Sequence, residues 1–195
     1  RCIYKNRQNF SQVKNPFTIF YMTKLTKHDL FSTPLWHIEG APQQLIDELY
    51  KGAYKFKELY PSENRSNEGG YQSPLFKWGS FHPKGIEYID KVVGDILKFT
   101  IESWWYNINP KGAWNKPHTH PDTDLALVLY LTETDDSIHF INPFSQRKIT
   151  NCWSTYAPTT KRGDILIFPA DLLHYVMPNP KEEDRISISM NLQLC

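Results

Sequence analysis

Cysteine is scarce in this 195-residue chain: Cys2, Cys152 and Cys195 are the only three. They are too few and too scattered for a disulfide framework or a cysteine-based zinc site. The seven histidines are therefore left as the metal-ligand candidates. Long apolar runs are missing as well. No stretch approaches the ~18 apolar residues of a transmembrane helix, so no membrane span is expected. The first 21 residues mix Lys, Asn and Gln with aromatics and lack the apolar centre and small-residue cleavage site of a secretory signal. A cytoplasmic, reducing setting is the default expectation. An excess of charge is also missing: 22 Lys and Arg stand against 21 Asp and Glu, a net charge of +1. That balance argues against a basic nucleic-acid groove and against an acidic tail.

Aromatic residues, by contrast, are plentiful at 14% of the chain, which disordered segments do not show. The length suits one ordinary domain with a sizeable core. The chain opens on Arg1, and its first methionine is Met22. Residues 1–21 are expected to be an N-terminal extension, upstream of the natural start or a flexible arm, with 22–195 as a single domain. Phe17 to Tyr21 is rich in β-formers and reads alternatively as a strand.

Leu35-Trp36-His37-Ile38 reads as a short strand. Residues 42–60 carry Leu45, Ile46, Leu49, Ala53, Tyr54 and Phe56 near a 3.6-residue period, an amphipathic helix with Pro42 at its first turn. Residues 62–73 are polar and glycine-bearing and read as a loop. Residues 85–100 give a second amphipathic helix through Ile86, Ile89, Val92, Val93, Ile96, Leu97 and Phe99. From there the pattern turns to strands: an apolar run at 125–131, then 138–141, 148–153, 165–168 and an alternating 186–192. The expected architecture is mainly β within an α+β class: N-terminal helices packed on a C-terminal jelly roll.

Trp114 to Asp124 holds the densest chemistry. Alternate residues of an extended chain share a face, so His118 and His120 can address one centre. Asp122 joins them if the chain stays extended past Pro121. Both His-x-His and His-x-Asp are present, and they share His120. The distant third ligand is His174, after Gly163 to Pro169. Two histidines and a carboxylate with open positions suit non-haem Fe(II) that must also take a cosubstrate and O2. Arg185 and Ser187 alternate onto one face of the last strand. A guanidinium facing into a barrel needs an anion, and its planar fork grips a carboxylate.

His118-x-His120-x-Asp122 ahead of Val128-Leu129-Tyr130-Leu131, then Gly163-Asp164-x-Leu166-x-Phe168-Pro169, His174 and Arg185-x-Ser187, resembles the Fe(II)/2-oxoglutarate-dependent oxygenases. Within them the chain is most similar to the oxygenases common in phages and marine bacteria. Phe31 to Trp36 and Ser66 to Ser73 extend that resemblance over roughly residues 31–193. It implies a cupin-like double-stranded β-helix with the metal at its open end. The implied cofactors are Fe(II), 2-oxoglutarate as cosubstrate, and O2. The implied reaction is hydroxylation of an unidentified prime substrate with release of succinate and CO2. His174 carries over as the distal ligand. Arg185 carries over as partner of the far carboxylate of 2-oxoglutarate, with Ser187 beside it, and Tyr130 as a hydrogen-bond donor to it.

The family's usual pair is His-x-Asp. Two ligand sets stay open, His118/His120/His174 and His120/Asp122/His174, and Pro121 tilts the balance slightly to the first. Ala126 to Tyr130 departs from the related Ser-Gly-Val-Tyr-Tyr, so no relative's substrate transfers. The alternative function is a cupin-like metal-binding protein without oxygenase activity. Trp104, Trp105 and Trp114 could form a stacking surface for a substrate, and the plainer, favoured reading puts them in the core. Asp124 could orient a ligand histidine but is expected as a turn residue, and His28, His37, His82 and His139 have no assigned role. Taken alone, Arg185 reads as a surface ion-pair partner of Glu182, Glu183 or Asp184. Nothing in the sequence fixes the oligomeric state.

Overall fold

The computed structural model describes residues 32–79, 83–94, 97–134, 138–144 and 154–195. The expected extension at 1–21, the strand at 148–153, and His28 and His82 lie outside the described residues. Two antiparallel sheets dominate the rest of the chain. The first runs β1 (Trp36–Ile38), β10 (Ile165–Pro169), β7 (Leu125–Tyr130), β12 (Arg185–Leu194), β5 (Phe99–Asn109), β3 (Tyr71–Gln72), with β4 (Phe76–Lys77) also on β5. The second runs β2 (Asn67–Glu68), β6 (Trp114–His118), β11 (His174–Val176), β8 (Ile138–Ile141), β9 (Thr155–Tyr156). Helices α1 (Gln43–Leu59) and α2 (Lys84–Gly94) belong to the N-terminal half, as expected. Among the described residues no helix is long and apolar enough to cross a membrane.

Why β7 reads as an unbroken apolar run is visible in its two faces. Leu125, Leu127 and Leu129 join the core shared with the helices, while Ala126, Val128 and Tyr130 join a second cluster with Ile138, Phe140, Leu166 and Phe168. A strand covered on both sides has no polar face to show. β12 is the opposite case. Ile186, Ile188, Met190 and Leu192 enter the helix-side core, and the alternate residues face the other way. In α1, Ile46, Leu49 and Ala53 recur at helical spacing and bury the stripe that packs on the sheet.

Two expectations need correction. The second helix ends at Gly94 rather than at residue 100, and Phe99 already belongs to the 11-residue strand β5. β5 pairs along its length with β12, and that ladder outweighs the local helical period. The polar stretch 62–73 is not wholly a loop either. Its backbone supplies β2 to the edge of one sheet, against β6, and β3 to the edge of the other, against β5.

Tyr106 carries a testable oddity. Its ring is buried, and its hydroxyl has no hydrogen-bond partner among the described residues. It points at Gly52 of α1, where a Cβ would lie 2.8 Å from the Tyr106 oxygen. Tyr106→Phe is expected to raise stability by ~1 kcal/mol by removing a desolvated, unpaired hydroxyl. Urea denaturation reads this directly. Gly52→Ala should destabilise the native protein and be better tolerated when combined with Tyr106→Phe.

Candidate metal centre and cosubstrate cavity

β6 and β11 are neighbours, and His118 is the register partner of His174. His120 lies two residues past the end of β6, where its N–H donates to the Ala170 carbonyl at 2.8 Å. That bond keeps the segment against the loop after β10. The three imidazoles consequently meet: ring centroids are 4.3 Å apart for His118 and His174, 5.2 Å for His120 and His174, and 5.4 Å for His118 and His120. One nitrogen from each falls within 4.8 Å of the others, close enough to share an ion.

Each ring is also held in one tautomer. His118 Nδ1 lies 2.6 Å from the Lys116 carbonyl oxygen, His174 Nδ1 lies 2.8 Å from that of Leu172, and His120 Nδ1 lies 2.7 Å from Asn191 Oδ1. Those oxygens only accept, so Nδ1 carries the proton and Nε2 keeps its lone pair for a metal. Burial keeps the rings neutral. It lowers the pKa of His118, lowers that of His120 to about 4, and lowers that of His174 to about 3. Three neutral, pre-oriented imidazoles fit a divalent transition metal.

Asp122 does not join this group. It sits in the turn after Pro121, exposed, with φ of 62°. Asp124 accepts a hydrogen bond from the Leu194 N–H at 2.8 Å and fastens the end of β12, in keeping with a turn role. His37 pairs with Asp164 at 2.9 Å, and His139 stacks on Tyr175.

Arg185 opens β12 and is 7% exposed, which rules out the surface ion-pair reading. Its Nη2 donates to the Met177 carbonyl at 2.8 Å and, more weakly, to that of Ala113 at 3.4 Å. Among the described residues it forms no ion pair. Glu182 is taken by Lys111, and Asp184 accepts from Tyr54. Burial pulls the Arg185 guanidinium down to about 10, with Tyr130 acting the other way, so it is charged at neutral pH. Tyr130 and Ser187 are cross-strand partners on the same side. Arg185, Tyr130, Ser187 and the three histidines line one cavity with about 590 Å³ of empty space, part of it open to solvent. A buried cation without a carboxylate, facing a cavity that also holds a ligand cluster, fits a dianionic cosubstrate.

One residue of this site departs from its favoured reading, and another was not legible in the sequence. Trp105, expected in the core rather than on a stacking surface, faces the cavity, with its ring 5.6 Å from that of His120. Trp104 beside it is fully buried on the helix side, as expected. The period-2 alternation of β5 separates the two. Asn191, which holds His120, carries no sequence signal of its own.

The comparisons with known proteins agree with this geometry. Residues 103–191 match the family model described as "Putative 2OG-Fe(II) oxygenase". The matched stretch is just under half of the chain, and solved structures share the fold. A prolyl-4-hydroxylase from Pseudomonas putida shares 13% identity, with 84% of this chain and 94% of that one covered at a TM-score of 0.59. A viral collagen prolyl hydroxylase from Paramecium Bursaria Chlorella virus-1, solved with 2-oxoglutarate, shares 18% over 83% and 96% at 0.57. HygX from Streptomyces hygroscopicus, solved with nickel and 2-oxoglutarate, shares 10% over 83% of each chain at 0.59. Among curated proteins, an Arabidopsis thaliana germin-like protein is 33% identical over 84 residues, 43% of this chain. The match spans 34% of that protein's length.

Two outcomes test the pre-oriented, neutral histidines. Without metal, the native rings resist protonation, whereas the unfolded chain binds protons near the ordinary value of about 6.5. The unfolded state therefore gains protons first as pH falls. Stability should drop from pH 6.5 toward the values of about 4 and 3 at which His120 and His174 titrate in the fold. Urea midpoints between pH 7 and 4 should show a steep fall, shallower in His174→Ala. Separately, Asn191→Leu is expected to weaken metal affinity by ~10–100-fold, as loss of an outer partner does elsewhere. Asn191→Asp keeps the acceptor and should retain affinity in a chelator competition.

Proposed function

We propose that His118, His120 and His174 hold the iron through Nε2, and that Arg185, with Tyr130 and Ser187, holds the far carboxylate of 2-oxoglutarate. The observation that carries this reading is a single cavity lined by the neutral imidazole cluster and by a buried guanidinium that forms no ion pair among the described residues. Bound there, Fe(II) with 2-oxoglutarate and O2 supplies the oxidising chemistry, which yields succinate and CO2 and hydroxylates a C–H bond of the prime substrate.

The chain's own residues do the rest. Arg185 fixes one end of the cosubstrate so that its other end addresses the imidazoles. Asn191 and two backbone carbonyls keep every Nε2 aimed at one point. Val128, Ile138 and Phe168 wall the cavity with apolar surface and limit water. A cytoplasmic location belongs to the same reading, because a reducing compartment keeps iron ferrous.

The test is anaerobic addition of Fe(II) and 2-oxoglutarate. A weak visible charge-transfer band should appear, and admitting O2 should produce succinate. A folded, metal-loaded sample that gives neither band nor succinate defeats the proposal. A second reading, a cupin-like metal-binding protein without oxygenase activity, draws on the absence of Asp122 from the converging group. Under that reading Arg185→Ala leaves metal and ligand binding intact. Under the oxygenase reading it removes 2-oxoglutarate binding.

A further inference from the structure

We propose that a second cleft, lined by Arg65, Gln72, Trp105 and Asn191, receives the prime substrate, and that this substrate is a small molecule carrying a carboxylate beside an amide, of the N-acyl amino acid class. The proposal rests on the oxygenase reading, since it needs the iron centre behind the cleft. The cleft holds about 590 Å³ of empty space and shares His118, His120, Trp105 and Ser66 with the cosubstrate cavity. A molecule seated in it reaches the same two imidazoles.

Gln72 is the informative residue. It is 3% exposed, in the two-residue strand β3, where Tyr71 joins the helix-side core and Gln72 is its alternate. Its backbone is satisfied: the N–H donates to Ser62 Oγ at 3.2 Å, and the carbonyl accepts from the Glu63 N–H at 2.9 Å. Among the described residues its carboxamide makes no hydrogen bond, and it lines the cleft. Its Nε2 and Oε1 are not fully buried, so the carboxamide is reachable from the cleft and can pair with a ligand that enters. A carboxamide offers one donor edge and one acceptor edge, which match another amide.

Charge fixes the second group. Among the described residues, Arg65 is the only Lys, Arg, Asp or Glu lining the cleft. Glu63 engages its Nε at 2.7 Å, which leaves the Nη nitrogens to grip an incoming carboxylate. No carboxylate side chain among them lines the cleft to neutralise an ammonium, so an acylated nitrogen suits it better than a free amine. Asn191 spends its Oδ1 on His120, and its NH2 remains as a further donor. Trp105 offers a flat wall beside His120 for the carbon skeleton that presents the reacting C–H.

The experiment is calorimetric titration of the full chain, loaded anaerobically with Fe(II) and 2-oxoglutarate. The probes are a panel of N-acetyl-L-amino acids, their methyl esters and the free amino acids. At least one N-acetyl acid should bind, with its ester and its free amine each at least tenfold weaker. Arg65→Ala should weaken that acid at least tenfold, and Gln72→Leu at least fivefold. Gln72→Glu, which keeps the shape but repels an anion, should weaken it further. The site assignment is overturned if no N-acetyl acid binds, if acids and esters bind alike, or if Arg65→Ala and Gln72→Glu both keep wild-type affinity. The charge-transfer band is recorded before each titration. Its absence marks failure of the oxygenase reading itself, whereas a normal band with flat titrations overturns the substrate assignment alone.

Discussion

Arg185→Met is expected to cost nearly all 2-oxoglutarate binding while the protein stays folded. The guanidinium is the only charged side chain among the described residues lining the cavity. Its partners inside the chain are two carbonyls, which leaves fork positions for a carboxylate. Truncating one side of a buried, hydrogen-bonded charge pair costs about 2–5 kcal/mol. At ~1.4 kcal/mol per decade, that weakens affinity by tens to thousands of times. Folding should survive because Met fills similar volume and removes a desolvated charge that burial already disfavours. Equilibrium titration of the Fe(II)-loaded variant with 2-oxoglutarate, alongside thermal melts, separates the two effects. Wild-type affinity in a folded Arg185→Met protein would remove Arg185 from the site.

His118→Ala and Asp122→Ala should differ by orders of magnitude in metal affinity. Removing an outer partner alone lowers affinity by ~10–100-fold, and loss of a ligand should exceed that. His118 sits opposite His174 in the β6–β11 register, with its Nδ1 fixed by the Lys116 carbonyl, so its deletion takes one of three donors. Asp122 is exposed in a turn outside the converging group, and its deletion should leave affinity within about threefold, the scatter usual for a single contact. Competition against a chelator of known strength measures both. The reverse ranking would restore the His-x-Asp pair as the ligand set.

Much of this arrangement was legible in the residues because a strand's alternation is a local signal. Arg185 with Ser187, and the apolar β7, could be read without knowing what they pack against. His118-x-His120 was legible for the same reason, although β6 stops at His118 and a bond from beyond β10 completes the extension. Other features were hidden because their cause lies far away in sequence. Asn191 meets His120 from 71 residues away. Gln72 gains its meaning from pairing with Asn107 on β5, within a stretch whose composition says only loop. Residues past Gly94 keep a helical period, yet β12 claims Phe99 as a strand partner. Local pattern identifies an element's faces; which face becomes a site depends on what arrives opposite it.

β12 carries Arg185, Ser187, Ser189 and Asn191 on one face and Ile186, Ile188, Met190 and Leu192 on the other. On the proposed reading Arg185 addresses the cosubstrate and Asn191 orients a metal ligand, so the strand works as a ruler with about 20 Å between its two marks. Inserting or deleting one residue between them would turn the polar edge into the core and displace both marks together. Lineages of this fold can therefore change β12 by substitution but scarcely by length. Under the same proposal, new substrate preference has freer scope at the sheet edges, where Arg65 just ahead of β2 and Gln72 in β3 can change without moving the three histidines.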